Sequence, residues 1–194
     1  MSQAAGAAER KGQLRREAIA RRDALADRAE RSAAIRALVM GLEAYRVARA
    51  IHCFLAIRSE VDTRPLVAAA LAAGKAVAVP VIDGRGVMLH SWIEGLDEAG
   101  FERGQLGTAS PRAIRPAQPG EWQLTVVPLL AFDRAGYRLG YGKGHYDGLL
   151  ARGAGRAVGV AFACQEVPEL PREAHDIPLD MIVTEAGVIV PEQG

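Results

Sequence analysis

The residues best suited to do chemistry lie in the segment 136–147, which reads Gly-Tyr-Arg-Leu-Gly-Tyr-Gly-Lys-Gly-His-Tyr-Asp. It combines glycines at alternate positions with two cations: Gly140, Gly142, Gly144, Arg138 and Lys143. Closely spaced glycines let the backbone turn several N–H groups toward one point. Between a strand and a helix, such a loop is typical of an anion site, most often for a nucleotide phosphate. The alternative is an ordinary glycine-rich connection.

The spacing of this glycine loop excludes two familiar nucleotide motifs. A Walker A loop has Gly, four residues and then Gly-Lys-Ser/Thr, but the residue five before Gly142 is Tyr137, and the lysine is followed by glycine. The dinucleotide fingerprint G-x-G-x-x-G fails because Gly140 and Gly142 lead to His145. The sequence therefore supports neither a P-loop NTPase nor a Rossmann dehydrogenase.

Two more cations lie near the start of the chain. Lys11 and Arg15 are four residues apart in a segment of helical periodicity, which places them on one face of a helix. There they would either reach a polyphosphate together or lie on a solvated helix face, the commoner arrangement for charged helical residues. The sequence leaves both possibilities open.

Polar residues 58–63, Arg-Ser-Glu-Val-Asp-Thr, follow the first predicted strand. In open α/β sheets, ligands bind at the carboxyl ends of the strands. Glu60 is therefore a candidate to accept hydrogen bonds from a fused nitrogen heterocycle. Asp62 or Thr63 is a candidate cap for the next helix, with Pro65 in its first turn.

Three aspartates offer oxygen ligands for Mg²⁺, an ion that also bridges phosphates: Asp147, Asp176 and Asp180. Asp176 is otherwise a turn residue, unless the fold brings it beside the glycine loop. His52-Cys53 and the isolated Cys164 lack the C-x-x-C spacing of a zinc site. No G-x-S-x-G elbow is present, which argues against a serine hydrolase.

The composition narrows the range of partners and compartments. The 194 residues carry a net charge of +1, which gives no electrostatic case for a nucleic acid or membrane partner. Two cysteines in apolar segments predict buried thiols and suit a reducing cytoplasm. No apolar segment is long enough to cross a bilayer, and the first residues lack a signal-peptide core. We expect a cytoplasmic protein.

The periodicity predicts one α/β domain over residues 1–194, with residues 1–8 as a flexible tail. Helices are predicted within 8–47 in two segments that break at Asp27, over 65–73, and from His145. Strands are predicted over 50–57, 76–82, 87–93, 124–130 and 157–163, with a final pair around 181–190. Residues 95–122 form a long connection, of a kind that is usually functional. Continuous apolar strands alternating with helices predict a mostly parallel sheet covered on both faces.

Five motifs occur in a fixed order: Lys11-x-x-Leu-Arg15, Glu60-Val-Asp-Thr63, Pro128-x-x-Ala-Phe-Asp133, the glycine loop, and His175-Asp176-x-x-x-Asp180-x-x-Val-Thr-Glu185. Together they resemble the 5-formyltetrahydrofolate cyclo-ligase family, also called 5,10-methenyltetrahydrofolate synthetase, over nearly the whole chain. The resemblance implies a three-layer α/β/α fold. It also implies an ATP- and Mg²⁺-dependent conversion of 5-formyltetrahydrofolate to 5,10-methenyltetrahydrofolate, with release of ADP and phosphate. In that reaction the formyl oxygen is phosphorylated, and N10 then attacks the activated carbon.

The same resemblance implies a role for each matching residue. ATP would meet Lys11, Arg15, Arg138, Leu139, Gly140, Tyr141, Gly142, Lys143, Gly144, His145 and Tyr146. Arg138 and Lys143 would be the catalytic cations, and Asp147 and Asp176 would hold Mg²⁺. Leu55, Glu60 and Trp92 would contact the folate.

One departure from the family pattern lies in the glycine loop. Many members have Gly-Tyr-Tyr-Asp where this chain has histidine at position 145. Histidine can still donate a hydrogen bond to phosphate, but it titrates near neutrality and would change the pH dependence.

Two other functions fit a phosphate loop on an α/β fold. A sugar-phosphate isomerase would need a carboxylate base and no ATP, and a non-catalytic protein would bind nucleotide or folate without turnover. We expect a monomer whose partners are small molecules.

Overall fold

The computed structural model describes residues 3–104, 107–173 and 175–192. Its helices are α1 (Gln3–Asp23), α2 (Arg28–Gly41), α3 (Glu43–Val47), α4 (Arg64–Ala72) and α5 (His145–Leu150), with 3₁₀ turns at Glu98–Gly100 and Ala163–Gln165. Its strands are β1 (Ala50–Cys53), β2 (Ala76–Ile82), β3 (Met88–Ile93), β4 (Phe101–Arg103), β5 (Ala109–Pro111), β6 (Leu124–Pro128), β7 (Ala131–Phe132), β8 (Arg138–Leu139), β9 (Arg156–Val160), β10 (Met181–Thr184) and β11 (Gly187–Ile189).

Seven strands form the central sheet in the order β11-β10-β9-β6-β1-β2-β3. The five inner strands are parallel, and the two edge strands β3 and β11 run antiparallel to their neighbours. The carboxyl ends of β1, β2 and β6 therefore share one edge of the sheet with the beginning of β3. This confirms the predicted mostly parallel sheet and places a candidate ligand site at that edge.

The side chains of each strand alternate in direction, so the inner strands present apolar residues on both faces of the sheet. Helices cover both faces. On β1, Ile51 and Cys53 join the core beneath α2 and α4, whereas Ala50 packs on the opposite side against the cluster that contains Trp122 and Leu149 of α5. The predicted three-layer α/β/α arrangement is confirmed.

The N-terminal helices differ from the predicted bounds. Helix α1 begins at Gln3, so the segment expected to be a tail is helical from that residue on, and positions 1 and 2 lie outside the described part of the chain. The predicted break is present: Asp27 precedes α2, and Nη1 of Arg28 donates to the Asp23 carbonyl at 3.0 Å, satisfying a free carbonyl at the end of α1. A further break at Leu42 separates α2 from α3.

Two short hairpins were not predicted. Strands β7 and β8 pair after β6, and β8 forms part of segment 136–147. The glycines at 140–144 therefore do not follow the buried strand β6 directly. Strands β4 and β5 pair within residues 95–122, which were expected to be a connection without regular structure. Both hairpins have strands of only two or three residues, too short for a periodicity to show.

Helix α1 packs on the β7–β8 hairpin. Leu14 and Ala18 share a buried cluster with Leu130, Ala131 and Leu139. The N-terminal helix is thereby fixed against the segment that leads into the glycine loop. Within the described residues, no helix has the length and apolar character needed to cross a membrane.

Candidate active site

A cavity of about 490 Å³ opens at the carboxyl edge of the sheet. Its floor is formed by residues that follow β1, end β2 and β6, or begin β3. They are Phe54, Leu55, Pro80, Ile82, Pro128 and Met88. The glycine loop, helix α1 and the side chains of Glu173, His175 and Asp176 close its sides. The cavity therefore gathers segments that are far apart in the sequence.

Fifteen of the sixteen predicted site residues line this cavity. They are Lys11, Arg15, Leu55, Glu60, Arg138, Leu139, Gly140, Tyr141, Gly142, Lys143, Gly144, His145, Tyr146, Asp147 and Asp176. The structure thus brings together the residues assigned to nucleotide, metal and substrate. Their individual roles remain predictions.

The glycine loop has the backbone conformation of an anion cradle. Gly142 and Gly144 have φ values of 88° and 67°, in the left-handed region that side chains disfavour. Within the described residues, no hydrogen bond is recorded from the backbone N–H groups of 141–144. These donors are therefore available to a ligand.

Helix α1 contributes two cations that pack against this loop. Arg15 Nε donates to the Gly140 carbonyl at 2.9 Å, and a Cβ on Gly142 would lie 3.0 Å from an Arg15 nitrogen. Lys11 Nζ lies 2.6 Å from Glu173 Oε2 and 3.3 Å from Asp176 Oδ2. The two residues therefore face the cavity rather than a solvated helix surface.

The charge state of Lys11 follows from these contacts. Burial, the largest influence, lowers its pKa, but the bonds to Glu173 and Asp176 together raise that pKa above the usual value. The ammonium is held as a cation beside the loop.

Arg138 lies beneath the loop, with its side chain only 5% exposed. One guanidinium nitrogen is 2.7 Å from Asp147 Oδ1, and the other donates to the Ile177 carbonyl at 2.7 Å. Burial lowers the pKa of Arg138, and the carboxylate of Asp147 counteracts that effect. The guanidinium is thus fixed in direction before any ligand arrives.

The predicted metal ligands lie in the same cavity but carry cation partners. Asp147 pairs with Arg138, and Asp176 pairs with Lys11. Ligand atoms of Glu173, His175 and Asp176 lie within 4.8 Å of one another, a donor set that would fit a hard cation. Asp180, also considered from the sequence, lies elsewhere: its carboxylate bonds Arg156 and the backbone N–H of Ala157.

The opposite end of the cavity holds Glu60. Its Oε2 accepts a hydrogen bond from the N–H of Ile57 at 3.0 Å. Burial is the main reason that its pKa is raised, and the Ile57 N–H, Arg22 and Tyr141 act against that rise. Thr63 immediately precedes α4, and its hydroxyl donates to the Phe54 carbonyl. Asp62, the other predicted cap, accepts from the Arg64 N–H at 3.1 Å, and Glu60 lines the cavity.

His145 has a protein partner. Its Nε2 lies 2.9 Å from the Gly86 carbonyl, so this nitrogen carries the proton and donates. The contact ties the glycine loop to the turn between β2 and β3. It differs from the expected hydrogen bond to phosphate, because Nδ1 of this tautomer is an acceptor and Nε2 would have to leave Gly86 to donate to a phosphate.

Trp92 is the predicted site residue that does not line the cavity. It lies four residues along β3 from Met88, or about 13 Å at strand spacing. Its ring packs against Trp122, with centroids 6.2 Å apart. The expected contact between Trp92 and a pterin ring is therefore not part of the function proposed below.

A buried aromatic cluster supports the loop from below. His90 Nδ1 lies 3.1 Å from His52 Nε2, and the His52 ring stacks on Trp122. The Tyr146 ring meets His52 edge-on, and its hydroxyl is buried with no hydrogen-bond partner in the described part of the chain.

Cys53, on the other face of β1, is a core thiol whose pKa is raised by burial, whereas Cys164 is only half-buried.

Several lining residues were not identified from the sequence. Thr108, Ala109 and Glu173 belong to no motif, and Arg58 and His175 lie in segments of interest but were given no role. Arg22 lies next to the cavity, almost completely buried. Arg22 did have a signal: it continues the apolar series Leu14 and Ala18 at intervals of four. A charged residue in that register must find partners inside the protein.

Comparison with known proteins identifies the relatives of this chain. A model of the 5-formyltetrahydrofolate cyclo-ligase family matches residues 7–185. The 5-formyltetrahydrofolate cyclo-ligase of Escherichia coli K12 is 33% identical over 147 residues, which are 73% of this chain and 81% of that protein. The enzyme of the same name from Haemophilus influenzae is 31% identical over 71% of this chain and 77% of its own length.

Solved structures agree with these sequence matches. The NMR structure of Aquifex aeolicus 5,10-methenyltetrahydrofolate synthetase superimposes with a TM-score of 0.82 at 32% identity, covering 95% of this chain and 94% of that one. A 5,10-methenyltetrahydrofolate synthetase from Mycoplasma pneumoniae shares the fold, with a TM-score of 0.72 at 21% identity over 90% of this chain and 98% of that one.

Proposed function

Because this chain belongs to the 5-formyltetrahydrofolate cyclo-ligase family, we propose that it closes 5-formyltetrahydrofolate to 5,10-methenyltetrahydrofolate, using ATP and Mg²⁺ and releasing ADP and phosphate. The observation that carries the proposal is the meeting of two unlike regions in one cavity. One is a glycine loop surrounded by cations, and the other is a buried carboxylate.

The phosphate region is built to neutralise a triphosphate. Lys11, Arg15, Arg138 and Lys143 all line the cavity around the loop. Preorganised cations and N–H groups stabilise a charged transition state because they need not reorient during the reaction. In this proposal Arg138 and Lys143 act on the transferring phosphoryl group, and Lys11 and Arg15 hold the remaining phosphates.

The folate region is built to hold a flat heterocycle. Leu55 and Phe54 supply buried apolar surface, and Glu60 supplies an acceptor for ring N–H groups. Pro80, Ile82 and Met88 add apolar surface from the neighbouring strands. A mostly apolar cavity with few polar groups fixes both the position and the orientation of such a ring.

The chemistry needs positioning more than a protein nucleophile. The formyl oxygen is a poor leaving group, so it first attacks the γ-phosphorus of ATP, and ADP departs. N10 then attacks the activated formyl carbon, the carbon–oxygen bond breaks, and phosphate leaves with the oxygen. N10 gives up its proton as the ring closes. Arg138 and Lys143 stabilise the phosphoryl charge through both steps.

Asp147 and Asp176 are the residues that would hold Mg²⁺ in this proposal, with Glu173 beside them. All three line the cavity, and carboxylate oxygens are the ligands that this ion prefers. Glu173 and Asp176, with His175, have ligand atoms within 4.8 Å of one another. When bound, Mg²⁺ would neutralise negative charge on the ATP phosphates. Arg138 and Lys11 would then give up part of their present pairing with these carboxylates.

Family membership argues against one alternative raised by the sequence, and ADP release separates the proposal from the other. The similar proteins named above are cyclo-ligases or synthetases, which does not support a sugar-phosphate isomerase. A binding protein without turnover would bind both ligands but release no ADP. We therefore expect ADP release that depends on 5-formyltetrahydrofolate, and its absence in the presence of ATP and Mg²⁺ would refute the proposal.

A further inference from the structure

We propose that Arg22 is a positioning residue that couples the two regions of the site, so that folate and nucleotide each bind more tightly when the other is present. This inference rests on the proposed function, because the two ligands are those of the cyclo-ligase reaction. Arg22 itself touches neither ligand in this account. It acts through Tyr141 and Ser59.

Arg22 is a buried cation with two partners from separate segments. Only 2% of the residue is exposed. Its Nε donates to the Ser59 hydroxyl at 3.0 Å, and one of its terminal nitrogens donates to the Tyr141 hydroxyl at 3.0 Å. Placing a charge inside a protein is costly unless hydrogen bonds fix it. These two contacts therefore hold Arg22 in one orientation.

The Tyr141 contact connects Arg22 to the nucleotide region. Tyr141 lies between Gly140 and Gly142 in the glycine loop, and it is 40% exposed. A loop with left-handed glycines is intrinsically adaptable, so its conformation depends on the few side chains that tether it. Arg15 tethers the loop at Gly140, and Arg22 tethers it at Tyr141.

The Ser59 contact connects Arg22 to the folate region. Ser59 precedes Glu60, and its hydroxyl also donates to Oδ1 of Asp23, the next residue on α1. Arg58, just before it, has a φ of 54°, which is an uncommon conformation for a side-chain-bearing residue. The segment that presents Glu60 is therefore held in a specific shape, and Arg22 is part of what holds it.

Coupling follows from this shared cation. A folate bound at Glu60 immobilises the Ser59 segment, which fixes Arg22 and thereby the tether on Tyr141. The glycine loop is then already ordered, so it loses less conformational entropy when the nucleotide binds. By linkage, the nucleotide must tighten folate binding by the same factor.

The test uses three variants of the full chain. Arg22→Gln removes the cation, Tyr141→Phe removes the hydroxyl that meets Arg22 and also bonds Glu60, and Arg21→Gln makes the same change at the exposed neighbouring position of α1. Calorimetry gives the dissociation constant of 5-formyltetrahydrofolate with and without a non-hydrolysable ATP analogue and Mg²⁺. The ratio of the two constants reports coupling, whereas a merely structural defect weakens both constants and leaves their ratio unchanged.

We expect the analogue to tighten folate binding by about fivefold or more in the wild type and in Arg21→Gln. In Arg22→Gln and Tyr141→Phe the ratio should fall to within about twofold of one. If Arg22→Gln does not fold, Ser59→Ala replaces it, because this change removes the other partner of Arg22 and leaves the contact between Tyr141 and Glu60 in place. A ratio near one in the wild type, or an unchanged ratio in Tyr141→Phe, would overturn the inference.

The two proposals fail separately. A wild-type protein that turns over 5-formyltetrahydrofolate but shows no coupling would overturn the role of Arg22 alone. A wild-type protein that does not turn it over, even with ATP and Mg²⁺, would overturn the proposed function.

Discussion

The guanidinium of Arg138 lies 2.7 Å from Oδ1 of Asp147, and the Arg138 side chain is almost wholly buried. This ion pair joins a proposed catalytic cation to a proposed metal ligand. Lys143 is different: it is exposed, and no ion pair of its side chain is recorded within residues 3–104, 107–173 and 175–192. Arg138 therefore supports the fold, whereas we propose that Lys143 serves only the ligand.

Lys143→Ala should weaken nucleotide use without destabilising the protein. A hydrogen bond from a cation contributes about 1.5–3 kcal/mol, so the KM for ATP should rise about tenfold or more. The thermal midpoint should stay at the wild-type value, in contrast to Arg138→Gln, which breaks a buried pair. Arg16→Ala is the charge control, because Arg16 is an exposed cation on α1 outside the cavity. An unchanged KM for ATP in Lys143→Ala would contradict the role assigned to this residue.

Gly142→Ala should distort the loop. The φ of 88° costs a side-chain-bearing residue about 1–2 kcal/mol, and the new Cβ would lie 3.0 Å from an Arg15 nitrogen. Denaturant unfolding should show that loss, together with weaker ATP binding. Gly148→Ala in α5 is the matched control, since its Cβ meets nothing within 4 Å and alanine stabilises a helix by up to about 1 kcal/mol. Equal stability changes in the two variants would contradict this interpretation of the loop.

The binding of folate should depend on pH through Glu60. Burial raises the pKa of this carboxyl, so it takes up a proton at a higher pH than an exposed glutamate does. A protonated Glu60 accepts hydrogen bonds less well, so the KM for folate should rise as the pH falls through this raised pKa. Glu60→Gln should raise that KM about tenfold at neutral pH and remove the acidic rise. Measuring the KM for folate from mildly acidic to neutral pH would test this prediction. The same pH profile in Glu60→Gln as in the wild type would contradict it.

The stability of the fold should also decrease in acid, through the buried histidines. Burial lowers the pKa of His90 to about 4 and that of His52 well below its usual value. Between about pH 6.5 and pH 4, the two histidines therefore bind protons in the unfolded chain but not in the folded one. Their contribution to the free energy of unfolding is fully present above about pH 6.5 and is lost as the pH falls toward 4.

Urea midpoints across that range test the histidine prediction. His90→Gln should flatten the decline between pH 6.5 and pH 4, because one of the two buried groups no longer titrates. A decline of equal steepness in the variant would show that other groups cause the acid sensitivity.

The local features of the site were predictable from sequence, and its long-range contacts were not. The glycine loop was identified because its spacing determines a backbone conformation independently of the rest of the chain. The contact between Arg22 and Tyr141 spans 119 residues, and that between Lys11 and Glu173 spans 162. No periodicity or motif encodes such a pairing.

Trp92 shows the limit of sequence reasoning within one strand. Trp92 was assigned to the folate by the resemblance alone. It shares a face of β3 with Met88, but only the sheet topology shows which end of the strand meets the cavity. The short hairpins β4–β5 and β7–β8 were missed for a related reason. Their strands are fixed by pairing with each other rather than by a hydrophobic pattern of their own.

The most direct test of the account is the growth of 5,10-methenyltetrahydrofolate absorbance when the purified protein is mixed with 5-formyltetrahydrofolate. The account predicts growth only when ATP and Mg²⁺ are both present, with one ADP released for each ring closed. Growth at the same rate without ATP would contradict the phosphoryl-transfer mechanism. A lack of growth with both present would contradict the central claim that this cavity is a cyclo-ligase active site.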